Sequence, residues 1–362
     1  IFTENEAGIN GGAVDWNSGS HKGNIFYSTF TNNIANSNGG AVFWSGHDGE
    51  ILHSNFTNNY AKGNVVDSHG NIGDGGAIIW SGLNGTVINC SFVGNNASMR
   101  GGAVYLQNCS HGNCTNTTFS NVYFKENTAG TNGGAIDWHE GAHDGKVSHS
   151  IFKNNTANSN GGAIYWRGHE GYILNSNFTN NTAKGLYAGS YGNIGDGGAV
   201  FWAGINGTLT GCNFTGNSAL GGAGGAMYSG SASNCTFTNN SAAVDGGAVF
   251  IHSDEFASET EYINCNFIGN SAGNRGGAIF CHCTVESELK VHDCTFIGNS
   301  AEDGGAIYEE TSMCAYNMNC YFIKNKASCD GGAVYDSEVD NGTFISNVAG
   351  CNGSAIYKGI SI

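Results

Sequence analysis

The densest group of titratable side chains in this chain is Trp138-His139-Glu140-Gly141-Ala142-His143-Asp144. Imidazoles beside carboxylates are the material of a metal site or a general acid–base pair. The pattern partly recurs: His21 matches His143, and His47 matches His169, each beside Lys, Asp or Glu. His139 has Asn17 as its counterpart, so the pair is not repeated, and loop surface is the simpler reading. A column of carboxylates also precedes paired glycines, at Asp74, Asp196, Asp245, Asp303 and Asp330. Asn10, Asn38, Asn132 and Asn160 stand at the same position, so Asn replaces Asp freely there. That substitution suits a turn with positive φ better than acid–base work. A polysaccharide hydrolase wants paired carboxylates at fixed spacing, and a lyase wants a base with a cationic partner. Only Asp15 and Asp137, with their His-rich loops, rise above the repeat. The chain therefore reads as non-enzymatic, with no metal or cofactor. A carbohydrate-binding or carbohydrate-degrading enzyme is the alternative.

Thirteen Cys in a chain rich in Gly, Asn and Ser point to an oxidising, extracellular setting. Cys281-His282-Cys283 is too tight for zinc-ligand spacing. Cys90, Cys212, Cys235, Cys265, Cys294 and Cys320 all lie two residues before a recurring Phe, where Ser28, Ser54, Ser150 and Ser176 replace them elsewhere. This describes an inward column of small residues. Cys329 and Cys351 sit two before Gly-Gly and Gly-Ser on successive repeats, which makes them the first disulfide candidate; Cys109 and Cys114, inside one loop, are the second. Sixteen Asn-x-Ser/Thr sequons include Asn84, Asn116, Asn206 and Asn341, candidates for glycosylation. Asn55 and Asn177, whose sequons contain the recurring Phe, are expected to be exposed just before the strand enters the core.

All six Trp occupy one position, five after a first glycine: Trp16, Trp44, Trp80, Trp138, Trp166 and Trp202. The residue at the position before is aromatic in most repeats, as in Phe43, Tyr105, Tyr165, Phe201 and Tyr228, with Asp15 and Asp137 in the same column. Neighbours along a strand face opposite ways. If Val/Ile points inward, this column points outward. It is then either a structural stack between repeats or an exposed ladder on which sugar rings stack. For the second use, the contact surface would be Tyr105, Asp137, Tyr165, His143 and His169.

The elements that must position these groups are set by one repeated pattern. Phe-x-x-Asn begins at Phe2, Phe30, Phe56, Phe92 and nine later positions, ending with Phe344. Gly-Gly-Ala-Val/Ile follows each, from Gly11 to Gly331, with a degenerate Gly-Ser-Ala at Gly353. Short apolar runs between Asn/Gly turns read as strands, and a period of this kind signals a stacked solenoid. The motif spacing suits one coil of two or three short strands. The expected fold is all-β: a right-handed, single-stranded parallel β-helix of about 13 coils. At about 4.8 Å per coil the rod is roughly 60 Å long. Phe and Val/Ile should stack inward, and the Asn three after Phe should bond its equivalents above and below.

Residues 1–362 read as a single domain, because the motif runs unbroken. Residues 1–220 hold every Trp and a four-coil block duplicated at an offset of 122, its loop insertions included; residues 221–362 are Cys-rich. Pro is absent and Gly numbers 59, as suits a body that is nearly all ladder. Net charge is −16 with 13 Lys+Arg. A nucleic-acid partner needs a basic footprint, so that class is excluded, and direct membrane insertion is not expected without a long apolar span. The chain spans a whole number of coils with no evident cap. Its end strands are open edges that would pair readily, so end-to-end self-association is one expected partnership. Host or cell-surface glycans and proteins are the other.

Phe30/Asn33/Gly39-Gly40-Ala41-Val42 is a representative unit, and thirteen such pairs cover the chain. These elements resemble the repeats of chlamydial polymorphic outer membrane proteins, and equally those of adhesin-like surface proteins of methanogenic archaea. The archaeal type is the closer fit, since no carboxy-terminal barrel pattern is present. The resemblance implies a β-helical passenger displayed on a cell surface and used in adhesion. The expected protein is an extracellular adhesin or a structural segment of a filament.

Overall fold

The computed structural model describes residues 1–17, 19–67, 70, 72–107, 116–186, 195–252, 260–282, 289–310 and 315–361. They form a right-handed parallel β-helix of four sheets, each of 13 strands, every pairing parallel and to the next coil. Each coil carries four strands rather than two or three. In the second coil they are Thr29–Thr31, Ile34–Ala35, Val42–Trp44 and Glu50–Leu52. The second strand is two residues long, too short to show alternation in sequence. The fourth varies in composition between coils. No helix among the described residues is long and apolar enough to cross a membrane.

The register follows the motif. Phe30 pairs with Phe56, Val42 with Ile78 and Trp44 with Trp80. Each motif Phe from Phe30 to Phe322 is buried, and successive rings stack with centroids 4.6 to 5.0 Å apart. Burying one such ring stabilises the fold by about 2–3 kcal/mol. The motif Asn forms the predicted internal ladder. Asn155 Nδ2 donates to Asn181 Oδ1 at 3.0 Å and to the Phe124 carbonyl at 3.1 Å, and its Oδ1 accepts from Asn127. The sharp corner lies one residue earlier, where Asn32, Asn58, Asn154 and Asn180 hold φ near +55°. Asn tolerates that left-handed conformation.

The two glycines of Gly-Gly-Ala have separate jobs. The first takes the positive φ, +61° at Gly39. The second makes a close approach: a Cβ on Gly40 would lie 2.1 Å from the Gly76 carbonyl oxygen of the next coil. This corrects the expectation that the preceding Asn or Asp holds positive φ. Those residues instead build a second ladder, in which Asp74 N–H donates to Asn38 Oδ1 and Asp196 N–H to Asn160 Oδ1, both at 2.9 Å. An oxygen acceptor is all the position requires, which is why Asn and Asp interchange.

Candidate functional site

The third sheet carries the candidate chemistry on its two faces. Inward, the Trp rings stack: Trp44 lies 4.7 Å from Trp80, and Trp138 4.0 Å from Trp166. Each indole lies against a glycine at the start of the fourth strand. A Cβ on Gly49 would sit 2.3 Å from Trp44, and one on Gly145 1.9 Å from Trp138. This pairing of Trp with a downstream Gly is visible in the sequence once the first is placed, but was not anticipated.

Outward, the aromatic column faces away from the core, as alternation requires, yet from Phe43 to Tyr228 it is buried, while Asp15 is exposed and Phe250, Tyr308, Tyr335 and Tyr357 are half-buried. Phe43, Ile79 and Tyr105 form one buried cluster, and Tyr165, Phe201 and Tyr228 another. Tyr165, Phe201, Tyr228, Phe250 and Phe280 stack in sequence at 4.4 to 5.2 Å. Arg100 lies 4.4 Å above the Tyr105 ring, and Arg275 lies 4.5 Å above Phe280. Tyr105, Asp137 and Tyr165 are each at most 2 % exposed. As a sugar-stacking surface these three are therefore ruled out: their faces are already occupied by the rings and guanidinium groups of neighbouring coils. The structural stack accounts for the column.

Asp137 is the exception within it. In register between Tyr105 and Tyr165, it interrupts the aromatic stack with a carboxyl group. Among the described residues its Oδ2 is buried without a hydrogen-bond partner. Burial pushes the carboxyl up to about 8, against the pull of Arg100 and Arg167 and with help from Asp74. Arg100 is engaged elsewhere, donating from Nε and Nη2 to Asp74 at 2.9 and 2.6 Å. His139 is pushed down to about 4, chiefly by burial and then by the same two arginines. Its ring meets Tyr105 edge-on at 6.0 Å. Arg167 pairs with Glu140. The sequence constellation thus splits: Asp137 and His139 are held uncharged at neutral pH in a buried niche, while Glu140 is exposed.

His143 and His169 lie together, their rings stacked at 4.9 Å, but as a turn ladder. His169 N–H donates to His143 Nδ1 at 3.0 Å, and Ile205 N–H donates to His169 Nδ1 at 3.1 Å. His21 and His47 repeat the arrangement. The Nδ1 atoms of His21, His47, His143 and His169 each accept from a backbone N–H, so these rings are pinned in the turns. Burial, and then His143, lower the His169 pKa.

Asn84, Asn116, Asn206 and Asn341 are exposed and left-handed, at turns between strands. Asn55 and Asn177 are also exposed. The cysteine column is buried and unbridged: Cys90, Cys212, Cys235, Cys265, Cys294 and Cys320 are free. Cys90 Sγ donates to the Ile88 carbonyl as Ser54 Oγ does to that of Leu52. Cys281, buried in the core, is disulfide-bonded, which its spacing did not suggest. Cys329 and Cys351 are free thiols with sulfurs 3.1 Å apart. Cys109 and Cys114 lie outside the described residues.

Among solved structures, two mutants of the tailspike protein of E. coli bacteriophage HK620, each in complex with a pentasaccharide, are similar to this chain. Both match with a TM-score of 0.42 and 13% identity, over 89% of this chain and 60% of theirs. The chain thus spans about three fifths of those proteins' length. No curated protein matches it. The matched family model is the Chlamydia polymorphic membrane protein repeat, at residues 27–43, 121–137, 149–165, 234–252, 264–282, 293–308 and 319–337. Each of these segments takes in one Phe-x-x-Asn element and its Gly-Gly-Ala. The ladder of Phe, Asn and glycine described above is therefore what this chain has in common with the Chlamydia polymorphic membrane protein repeat, found at these seven positions.

Proposed function

We propose that this chain is a non-enzymatic β-helical rod displayed outside the cell, with an adhesive or structural role. The observation that carries the reading is where the candidate chemistry goes. Asp137, Tyr105 and Tyr165 are buried in coil-to-coil packing, and His143 and His169 are tied to backbone donors. What the rod offers to solvent is a set of regular polar ladders. Asn121 donates to Asn89, Asn264 to Asn234 and Asn341 to Asn319, all exposed and at 2.6 to 2.8 Å. Surface repeats of the matched kind, an acidic surface and exposed sequons fit display outside a cell. The partners this suits are surface glycans or proteins, or a second copy of the rod.

Negative-stain electron microscopy of the purified chain, followed by a glycan-binding screen, tests the reading. Single rods roughly 60 Å long with binding and no cleavage are expected. Uniform fibres would turn it to a filament. Saccharide turnover abolished by Asp137→Asn would overturn the non-enzymatic role.

A further inference from the structure

Cys329 and Cys351 are 22 residues apart in sequence and adjacent in space. Their sulfurs and a carboxylate oxygen of Asp330 all lie within 4.8 Å of one another. We propose that Cys329, Cys351 and Asp330 form a site for one thiophilic divalent cation, of the zinc class, at the outer turn joining the last two coils. This inference is independent of the adhesive or structural reading above.

The donor set suits such an ion. Two thiolates and a carboxylate are borderline-soft ligands for Zn²⁺, and a tetrahedral ion bound by three protein ligands keeps its fourth position for water. Cys351 is exposed and the other two are half-buried, so solvent reaches that position. The backbone is held. Cys351 N–H donates to the Cys329 carbonyl at 2.8 Å, and Cys329 N–H to that of Glu302 at 2.8 Å. The carboxylate is oriented as well: Asp330 Oδ1 accepts from Asn352 N–H and Nδ2, both at 2.9 Å. Glu302 sits one coil along the same column, and Asp303 Oδ1 accepts from Asp330 N–H, so the neighbourhood is acidic. With Zn–S near 2.3 Å, tetrahedral geometry separates two sulfurs by about 3.8 Å. Opening the observed 3.1 Å to that distance needs only rotation of two surface side chains.

Binding is a proton exchange. Each thiol gives its proton to solvent as its sulfur takes up the ion, so one divalent cation releases two protons and no oxidant is required. Because protons are released, uptake strengthens as pH rises. The repeat register pairs Cys329 with Cys351 in the sequence, as a disulfide candidate, whereas zinc-ligand spacing rules do not mark the site because its ligands come from successive coils.

The test uses the full chain, reduced and freed of metal, titrated with Co²⁺. A thiolate-to-cobalt charge-transfer band saturating at one ion per chain is expected, with back-titration by Zn²⁺ erasing it. Cys329→Ser and Cys351→Ser should each lose the band while melting as the parent does. Asp330→Asn should keep the band but weaken affinity, and Cys265→Ser, in the buried column, should leave both unchanged. The proposal is overturned if no band forms, or if it survives in Cys329→Ser. It is likewise overturned if the native protein is two hydrogen masses short, with Cys329 and Cys351 recovered in one disulfide-linked peptide.

Discussion

Gly332 passes so close to Ser354 that a Cβ on the glycine would begin 2.2 Å from the Ser354 carbonyl oxygen. The same approach recurs from Gly12 against Gly40 to Gly305 against Gly332, at 2.0 to 2.2 Å. A glycine at this second position is thus what lets the next coil stack in register. Gly198→Ala, in the rod's middle, should fail to fold or melt far lower than the parent in thermal melts, because its Cβ would lie 2.0 Å from the Gly225 carbonyl oxygen. A melt equal to the parent's would mean that the turn yields to a methyl group.

The internal Asn ladder should be as sensitive as the Phe column. Asn155→Ala strips the Phe124 carbonyl and Asn181 Oδ1 of a donor, and Asn127 N–H and Nδ2 of an acceptor, all in the interior. Each buried group left unpaired costs about 1–3 kcal/mol. A loss of at least 3 kcal/mol is expected by this count, read from denaturant unfolding. Asn32→Gly, at the left-handed corner just outside the ladder, should change stability by only a few tenths of a kcal/mol. If the two variants lost equal stability, the ladder would not be the source of the effect.

How much of this was legible depended on repetition. Phe30, Asn33 and Gly39-Gly40 announce their roles because twelve other coils repeat Phe-x-x-Asn and seven of them place Gly-Gly at the same nine-residue spacing. The column of Tyr105, Asp137 and Tyr165 shows the limit. Alternation reveals which face a side chain takes, but nothing about what covers that face. Here the cover is the rings of adjacent coils and the guanidinium group of Arg100. Positive φ was assigned to the wrong residue for a related reason. Asn38 and Asp74 have turn-forming side chains, yet the strained conformation falls on the following glycine, and the side chain is spent on the next coil's N–H. Contacts between coils were legible where the motif fixes both positions, as for Cys329 with Cys351.

The cysteine column predicts tolerance where buried cysteines are usually sensitive. Cys265 is unbridged, and its Sγ donates to the Ile263 carbonyl as Ser176 Oγ donates to that of Leu174. Serine already serves this position in the first half of the rod. Cys265→Ser should therefore fold and melt within about 1 kcal/mol of the parent, the scale of a single hydrogen-bond exchange. Cys265→Leu should destabilise by about 1–3 kcal/mol through overpacking. Equal damage by both would show that the thiol itself, rather than a small hydrogen-bonding group, is needed.

The buried niche around Asp137 gives the rod a pH dependence that can be signed. Asp137 has its folded pKa raised to about 8, and Asp196 to about 6, both mainly by burial. A carboxyl raised in the folded state favours folding fully below its unfolded value near 4, and loses that contribution as pH climbs through the folded value. His139, lowered to about 4, acts on the other side: its contribution is present above about 6.5 and lost on acidification toward 4. Stability should therefore fall as pH rises from about 4 to 8 through the two carboxyls, and as pH falls below 6.5 through the imidazole. Asp137→Asn cannot ionise. It should melt higher than the parent at pH 8 by an amount on the order of several kcal/mol, and match it near pH 4. Thermal melts of both proteins across that range decide the matter. Parallel curves at every pH would mean that Asp137 titrates as an ordinary carboxylate and that its niche is wet.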